Sequence, residues 1–429
     1  MGTATRCSVA DGSRTQVLST RFRTTRARTL QLCEPLTPED MMVQSCAEAS
    51  PVKWHLAHTA WFFESFILRE FLPGYRLFNE DFPWLFNSYY QSFAAFPDKK
   101  LRASFSRPGI EAVLGYREHV DRGVDQLLEL LSDAAPHHEA LKRIELGVNH
   151  EEQHQELMLT DILHAFFTNP LRPAYRVADA AEAGNGAIEL AFTGVDGGLH
   201  EAGHGGDGFC FDNEMPRHKV WLEPFEVGNR LVTCGEYAAF MADGGYKRPE
   251  LWLSAGWDAV RANGWRAPVY WSDGDGGWKV FTLRGESLLS EMENTPVSHV
   301  SFFEADAYAR WAGHRLPTEF EWEAAAGDRA VDGNLLDTGA LRPMAAAEGG
   351  GPAQMWGDCW EWTASAYLGY PGFQPLGGAL GEYNGKFMSG QMVLRGGSCA
   401  TPAAHIRSSY RNFFPPETRW QFSGIRLAL

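Results

Sequence analysis

The spacing of hydrophobic residues along the chain changes near residue 170. Between residues 35 and 170 apolar side chains recur at intervals of three and four with few glycines, which predicts amphipathic helices. Proline and glycine interrupt the pattern at residues 72–74 and 106–109, where turns are expected. This part of the chain is therefore predicted to form a four-helix bundle, whose clearest helices are residues 52–71, 110–131 and 138–167.

Beyond residue 173 the pattern favours short strands bounded by glycine, with long loops between them. The best strand candidates are residues 191–194, 219–222 and 393–397, and helices are predicted at residues 234–242, 302–311 and 319–326. The fold class is therefore α+β and multidomain, with a helical domain followed by an irregular α+β domain. The predicted boundaries are a basic tail over 1–34, the helical domain over 35–172, a linker over 173–185 and the second domain over 186–429.

Composition and charge narrow the classes of function. A formal net charge of -16 argues against a nucleic-acid partner, which would require clustered Lys and Arg. No apolar run is long enough to span a membrane, and the first residues lack the apolar core of a secretory signal. The seven cysteines are scattered, which is typical of reduced thiols and indicates a cytoplasmic protein. Residues 1–29 contain six Arg and one Asp, which favours a disordered basic tail over a targeting peptide.

The clearest candidate for chemistry is a pair of histidines in a strongly helical segment. His150 and His154 are four residues apart, so on a helix both imidazoles project from one face and suit two ligands of one metal ion. The alternative, two polar residues on a solvated helix, remains open from the spacing alone.

A third imidazole is available in the segment Trp54-His55-Leu56-Ala57-His58-Thr59. His58 is the preferred ligand because its neighbours are more apolar than those of His55, and a buried core histidine is the alternative. Three imidazoles suit zinc, iron or copper, so the residue types do not choose the metal. Zinc would favour hydrolysis or hydration, whereas iron(II) would leave positions for oxygen and an anionic donor.

The combination of segments resembles a known family. Residues 50–64, 85–90 and 150–156 resemble the DinB-like metal-binding domain of the EgtB-type sulfoxide synthases of ergothioneine biosynthesis. Residues 295–301, 315–323, 357–363 and 395–398 resemble the formylglycine-generating-enzyme, or sulfatase-modifying-factor, fold, which is related to C-type lectin domains. The two halves fused in this order are specific to the EgtB-type enzymes.

The resemblance implies an iron(II) enzyme that joins the sulfur of a thiol to the imidazole of N-alpha-trimethylhistidine (hercynine), with O2 as oxidant. It implies that His58, His150 and His154 bind iron and that Gln153 and Asn412 contact hercynine. An amide can orient a bound imidazole through one hydrogen bond. Aromatic side chains after Asn412 can face a trimethylammonium group by cation–π attraction; they are Phe413, Phe414 and Trp420.

Two departures from the better-known branch of that family affect the expected chemistry. An acidic residue that binds the amino group of gamma-glutamylcysteine is replaced by Phe414, which favours free cysteine as the thiol. The catalytic tyrosine of that branch aligns only loosely with Tyr383, whereas Tyr89 and Tyr90 resemble the tyrosines of the cysteine-using branch. Tyr89 or Tyr90 is therefore the predicted proton donor, and packing between domains is the alternative for each.

Two other functions remain open from the sequence alone. A thiol dioxygenase-like reaction would end at cysteine sulfinate. A sugar- or peptide-binding module would use the lectin-like fold without catalysis. The formylglycine-forming activity is disfavoured because no second cysteine lies near Cys399 in sequence.

Overall fold

The computed structural model describes residues 13–177, 188–347 and 351–429, and these form two compact units. The first unit takes in the described residues up to Ser88 together with Ala94–His154. The second takes in Tyr89–Phe93 and the described residues from Gln155 onwards. The first unit is helical and the second mixes short strands and helices, which confirms the predicted fold class.

Helices build the first unit in the order that the hydrophobic spacing predicts. The helix predicted over 52–71 is formed by three consecutive helical segments that end at Phe71, and the helices predicted over 110–131 and 138–167 end within one residue of their bounds. The last of these, His138–Thr168, extends past residue 154 into the second unit. The helices are α1 (Arg14–Cys33), α2 (Val52–Phe63), α3 (Arg69–Phe71), α4 (Phe82–Leu85), α5 (Ile110–Leu130) and α6 (His138–Thr168).

Helix α1 corrects the prediction of a basic tail. Ser13 caps the helix by accepting a hydrogen bond from the Gln16 amide, and Phe22 is buried with its ring 5.1 Å from that of Phe63. Four arginines of α1 form ion pairs with acidic residues of α5 and α6: Arg14–Glu145, Arg21–Glu152, Arg23–Asp125 and Arg26–Glu151. The positive charge of this segment thus stabilises the bundle, and α1 is its fourth long helix. Residues 1–12 of the predicted tail lie outside the described residues.

Helix α2 continues through a π-helical turn, Glu64–Leu68, into α3. Glu64 is fully buried and accepts hydrogen bonds from the hydroxyls of Tyr116 (2.7 Å) and Tyr75 (2.8 Å). Insertions of this kind are frequent near functional sites because they alter which side chains share a helix face. The turn follows directly on the helix that carries His55 and His58.

The residues that the structure describes in the second unit form four small sheets. They pair β1 with β4, β2 with β3, β5 with β6 and β7, and β10, β9, β8 and β11 in that order; β8 and β11 are parallel and the other pairs are antiparallel. The strands are β1 (Phe192–Val195), β2 (Gly198–Ala202), β3 (His218–Leu222), β4 (Phe225–Gly228), β5 (Trp271–Gly274), β6 (Gly277–Thr282), β7 (Gly285–Leu288), β8 (Trp360–Ala366), β9 (Met392–Arg395), β10 (Asn412–Phe414) and β11 (Ser423–Gly424). The helices are α7 (Cys234–Ala242), α8 (Ser254–Asn263), α9 (Phe302–Trp311) and α10 (Glu319–Ala326).

Buried ion pairs hold the irregular second unit together. Glu361 on β8 accepts hydrogen bonds from Arg426 (2.6 Å) and from the indole of Trp322 (2.8 Å), and all three residues are fully buried. Glu319 is paired with Arg411 at 2.8 Å. These motif residues therefore support the fold, because a buried charge is stable only when its partners satisfy it.

One predicted domain boundary differs from the division into compact units, and another falls mostly outside the described residues. The first compact unit ends inside α6, at His154, and not at residue 172, because the remainder of that helix packs with the second unit. Most of the predicted linker, residues 178–185, lies outside the described residues. None of the described helices combines the length and the low polarity that crossing a membrane requires.

Candidate metal centre

Three buried histidines converge in the first unit. His58 of α2 and His150 and His154 of α6 each offer a ring nitrogen within 4.8 Å of the others. Their exposed fractions are 2%, 3% and 7%, so the nitrogens are shielded from bulk water. No other group of three or more His, Cys, Asp or Glu side chains with this spacing occurs in the described part of the chain.

The orientation of His58 is fixed by neighbours on its own helix. Trp54 and Trp61 stack on its ring at 4.4 Å and 5.1 Å, each tilted by 13°. Its Nδ1 lies 2.6 Å from the carbonyl oxygen of Phe86, so Nδ1 carries the proton and donates it to that oxygen. His58 therefore presents Nε2, with its lone pair, to the other two histidines.

The pair on α6 follows from helical periodicity. His150 and His154 are one turn apart, with ring centroids separated by 4.6 Å. The ring of His58 lies 5.1 Å from His150 and 4.9 Å from His154. Phe62 packs on His150 at 4.5 Å and closes the apolar side of the group.

Burial favours the neutral form of all three imidazoles. Burial lowers the pKa of His58 well below its ordinary value, and the neighbouring His150 adds to the effect. Burial likewise lowers the pKa of His150 to about 3 and that of His154 well below the usual range. Neutral imidazoles have free lone pairs, so the set is ready to bind a cation at neutral pH.

Ion pairs made by Glu151 of α6, next to the candidate ligand His150, connect this helix to α1 and α5. Glu151 is fully buried and accepts hydrogen bonds from Arg117 (2.7 Å), Arg26 (2.8 Å) and Thr29 (2.7 Å). Burial alone would raise the pKa of Glu151, but the two guanidinium groups outweigh it and lower that pKa to about 2. A permanently ionised, doubly paired carboxylate next to His150 fixes the rotation of the helix that carries the pair.

A fourth histidine adjoins the group. His55 is buried, and its Nδ1 lies 2.7 Å from Nδ1 of His154. His55 is not part of the convergent set, in line with the preference for His58 over His55. Its hydrogen bond to a candidate ligand was not anticipated from the sequence.

Gln153, the predicted hercynine contact, lies on α6 between the two candidate ligands and is half-buried. Nothing further in the structure tests its role, which stays a prediction.

The predicted tyrosines lie in the short segment Tyr89–Phe93, which belongs to the second compact unit. The segment Tyr89–Phe93 is held by Glu382, whose carboxylate accepts hydrogen bonds from the amides of Gln91 (3.1 Å) and Ser92 (2.9 Å). The Ser92 hydroxyl also donates to Glu382, and the Lys386 ammonium donates to the Tyr89 carbonyl oxygen. These contacts join segments that are far apart in the sequence, since Ser92 and Glu382 are separated by 290 residues.

The tyrosines considered as the proton donor, Tyr89, Tyr90 and Tyr383, lie near one another. Tyr90 is buried, which raises the pKa of its phenol well above the ordinary value, and the nearby Tyr383 and Tyr89 raise it further. Burial also raises the pKa of Tyr383. Each of these two phenols therefore keeps its proton at neutral pH.

The predicted substrate contacts in the second unit lie on β10. Phe413 stacks on Tyr367 at 4.0 Å and lies 5.9 Å from Phe387, whose ring in turn is 5.2 Å from that of Tyr89. Phe414 meets Trp420 edge-on at 6.0 Å. The structure thus brings Tyr89 and Phe413 into one aromatic row. Asn412 is half-buried, and its side-chain oxygen accepts a hydrogen bond from the amide of Phe413.

Glu156 is a further residue whose role sequence reasoning missed. Its carboxylate accepts hydrogen bonds from Trp360 (2.7 Å), Ser398 (2.5 Å) and Thr401 (2.7 Å). Trp360 and Ser398 belong to two of the four motifs that carry the resemblance in the second half of the chain, residues 357–363 and 395–398. The only sequence signal was the presence of Glu156 at the end of the histidine motif.

Comparison with known proteins agrees with both units. The DinB superfamily model matches residues 21–158, and the sulfatase-modifying factor enzyme 1-like domain model matches residues 189–347 and 338–429. The chain thus combines a DinB-type unit, which contains the buried three-histidine group, with a sulfatase-modifying-factor-type unit, the two-domain organisation of a particular class of enzymes.

Full-length relatives specify the family. The chain is 32% identical to hercynine oxygenase of Mycolicibacterium smegmatis, over 96% of this chain and 98% of the relative. It is 33% identical to hercynine oxygenase of Mycobacterium tuberculosis, over 94% and 96%. The formylglycine-generating enzyme of Streptomyces coelicolor is 37% identical but matches only 35% of this chain. The chain belongs to the EgtB-type hercynine oxygenase family and is an oxygenase.

Proposed function

We propose that this enzyme is an iron(II)-dependent sulfoxide synthase of ergothioneine biosynthesis that joins cysteine to hercynine with O2. The buried group of His58, His150 and His154 carries the proposal, since an oxygenase of this family requires a centre at which O2 can react. In the balanced reaction a C–S bond forms while the imidazole C–H, the thiol S–H and the O–O bonds break. One oxygen atom ends in the sulfoxide and the other in water.

The histidines fit iron(II) by their chemistry. Imidazole nitrogen is a suitable donor for iron, and three neutral ligands leave the charge of a divalent cation uncompensated. Iron(II), when bound, would supply a site at which O2 can be activated for reduction by the thiol and the imidazole C–H, and a positive charge that attracts a thiolate. The protein keeps the three ring nitrogens close and holds the Nδ1 proton of His58 away from the group, on the carbonyl oxygen of Phe86.

Two side-chain roles toward hercynine follow from the resemblance. The amide of Gln153 would hydrogen-bond the imidazole of hercynine, which fixes the carbon that becomes bonded to sulfur. The ring faces of Phe413 and Phe414 would attract its trimethylammonium group. Asn412 is proposed as a second polar contact.

Tyr89 or Tyr90 is proposed as the proton donor that directs the reaction to the sulfoxide. Reduction of O2 consumes protons, and a phenol that keeps its proton can deliver one without bulk water. Without that proton, oxidation of the sulfur itself to cysteine sulfinate is the competing outcome.

Free cysteine is the proposed thiol because Phe414 occupies the position at which the other branch carries an acidic contact. An unpaired ammonium group against a phenyl ring is poorly solvated, which disfavours gamma-glutamylcysteine. We further propose that the reaction takes place in the cytoplasm, where thiols stay reduced, because the cysteines are scattered along the sequence and form no recognisable disulfide framework.

The decisive assay loads the protein with iron(II) anaerobically and then adds O2 with hercynine and one of the two thiols. Mass analysis should show the cysteine sulfoxide conjugate of hercynine as the main product. Accumulation of sulfinate without conjugate would favour the thiol dioxygenase alternative. A specificity constant tenfold or more in favour of gamma-glutamylcysteine, about 1.4 kcal/mol of transition-state binding, would reverse the choice of thiol. The His58→Ala protein serves as the control for adventitious metal.

A further inference from the structure

The contact between His55 and His154 has no part in the function argued so far. His55 precedes His58 by one turn on α2 and is 2% exposed. Its ring centroid lies 5.0 Å from that of His154, with the ring planes inclined at 60°, and the two Nδ1 atoms are 2.7 Å apart. This distance is that of a strong hydrogen bond between ring nitrogens.

A hydrogen bond between two Nδ1 atoms requires one donor and one acceptor. A neutral histidine that gives one ring nitrogen to a cation carries its proton on the other. If His154 presents Nε2 to the three-histidine group, its Nδ1–H donates to Nδ1 of His55. His58 follows the same rule, because its Nδ1–H donates to the carbonyl oxygen of Phe86 at 2.6 Å.

We infer that His55 is a positioning residue for the metal centre, which accepts the Nδ1 proton of His154 and thereby fixes the ring so that Nε2 faces the other ligands. The inference rests on the proposed metal centre and assigns to it a fourth histidine that does not bind the metal. His55 lies outside the convergent set of ring nitrogens found among the described residues.

The role differs from simple core packing in what it demands of the side chain at position 55. Packing requires apolar volume, whereas positioning requires an acceptor at the place of Nδ1. The side-chain oxygen of asparagine lies close to where Nδ1 of histidine lies, while the glutamine amide reaches about as far as Nε2. His55→Asn therefore keeps the acceptor, and His55→Leu and His55→Gln remove it from that place.

The test measures binding of iron(II) alone, under anaerobic conditions and in competition with a coloured chelator, with no substrate present. We expect His55→Leu and His55→Gln to weaken iron(II) affinity by about 10- to 100-fold, as is usual for lost partners of ligating histidines. His55→Asn should stay within about threefold of the parent, a small part of that range. His119→Leu is the matched control, since His119 is in the same unit but bonds to the carbonyl oxygen of Arg76.

The outcomes separate this inference from the metal centre itself. A parent protein that fails to bind iron(II) would remove the proposed centre. A parent that binds iron(II) while His55→Leu binds it equally well would overturn only the role of His55. Equal losses in His55→Asn and His55→Leu would show that packing, and not hydrogen bonding, is what position 55 supplies. Circular dichroism of each metal-free variant checks that the helices are intact before the comparison is made.

Discussion

The three-histidine group proposed as the metal centre and the segment that contains the proposed tyrosine donors are built in opposite ways. His58, His150 and His154 project from two long helices and are almost completely buried. The segment Tyr89–Phe93 has no regular structure of its own and is held by Glu382 and Lys386, whose side chains are 21% and 35% exposed. The first region is preorganised by helix packing, whereas the second depends on a few polar contacts that water can replace. We therefore expect substitutions to have larger effects on metal binding than on the position of the tyrosines.

Loss of a metal ligand should have the largest effect. His58→Ala, His150→Ala and His154→Ala should each lower iron(II) affinity at least about 100-fold, because two imidazoles remain of a three-ligand site. His55→Ala should keep near-full iron when the metal is in excess, since it loses a partner of a ligand and not a ligand. Iron content at equilibrium with excess iron(II), measured by dialysis, distinguishes them, and a fully loaded His58→Ala protein would refute the assignment.

The contribution of α1 can be measured with a matched pair of arginines. Arg26 is 5% exposed and pairs with Glu151, whereas Arg23 is 64% exposed and pairs with Asp125. Arg26→Met should lower the free energy of unfolding by about 3 kcal/mol, because it leaves a buried carboxylate short of a partner. Arg23→Met should change it by less than roughly 0.5 kcal/mol. Urea unfolding of both variants makes the comparison, and equal small effects would mean that α1 is dispensable to the bundle.

The tyrosine segment should control product choice more than binding. Removing the hydroxyl of the proton donor by Tyr89→Phe or Tyr90→Phe should shift the ratio of sulfoxide to sulfinate by about 100-fold, the lower end of general acid catalysis. Iron content and substrate affinity should change little. Tyr308→Phe, a buried tyrosine of α9, is the control. If both single variants and the double variant keep the parent ratio, the donor lies elsewhere and Tyr383 is tested next.

Replacing Glu382 should have the smallest effect of these substitutions, and the effect should be confined to the segment Tyr89–Phe93. Glu382→Ala should speed hydrogen exchange of the Gln91 and Ser92 amides by about fivefold, equivalent to roughly 1 kcal/mol for charge-assisted hydrogen bonds weakened by exposure. Hydrogen bonds, the Ser92 hydroxyl foremost, lower the pKa of Glu382 to about 2 from its usual 4.5. The stabilisation is therefore complete above pH 4.5 and is lost as the pH falls toward 2. Unchanged exchange in the variant would show that other contacts hold the segment.

The sequence by itself determined three of the four long helices of the first unit, those that begin at Val52, Ile110 and His138, together with the candidate ligands. Helix geometry is local, so a spacing of four residues places His150 and His154 on one face without knowledge of the fold. The apolar neighbours of His58 likewise indicated that it points inward, and the two tryptophans that sandwich it lie one turn away on the same helix. The order of the two domains also followed from motifs that can be read directly.

Only the tertiary structure decided which distant residues act on these groups. The arginines of α1 look like a solvated basic tail until Glu151 and Glu152 are seen to meet them more than 120 residues later in the chain. The bond from His154 to His55 and the contacts of Glu382 with Ser92 span 99 and 290 residues. Pairings of this kind depend on how helices pack and loops close, and neither hydrophobic period nor residue type encodes them locally.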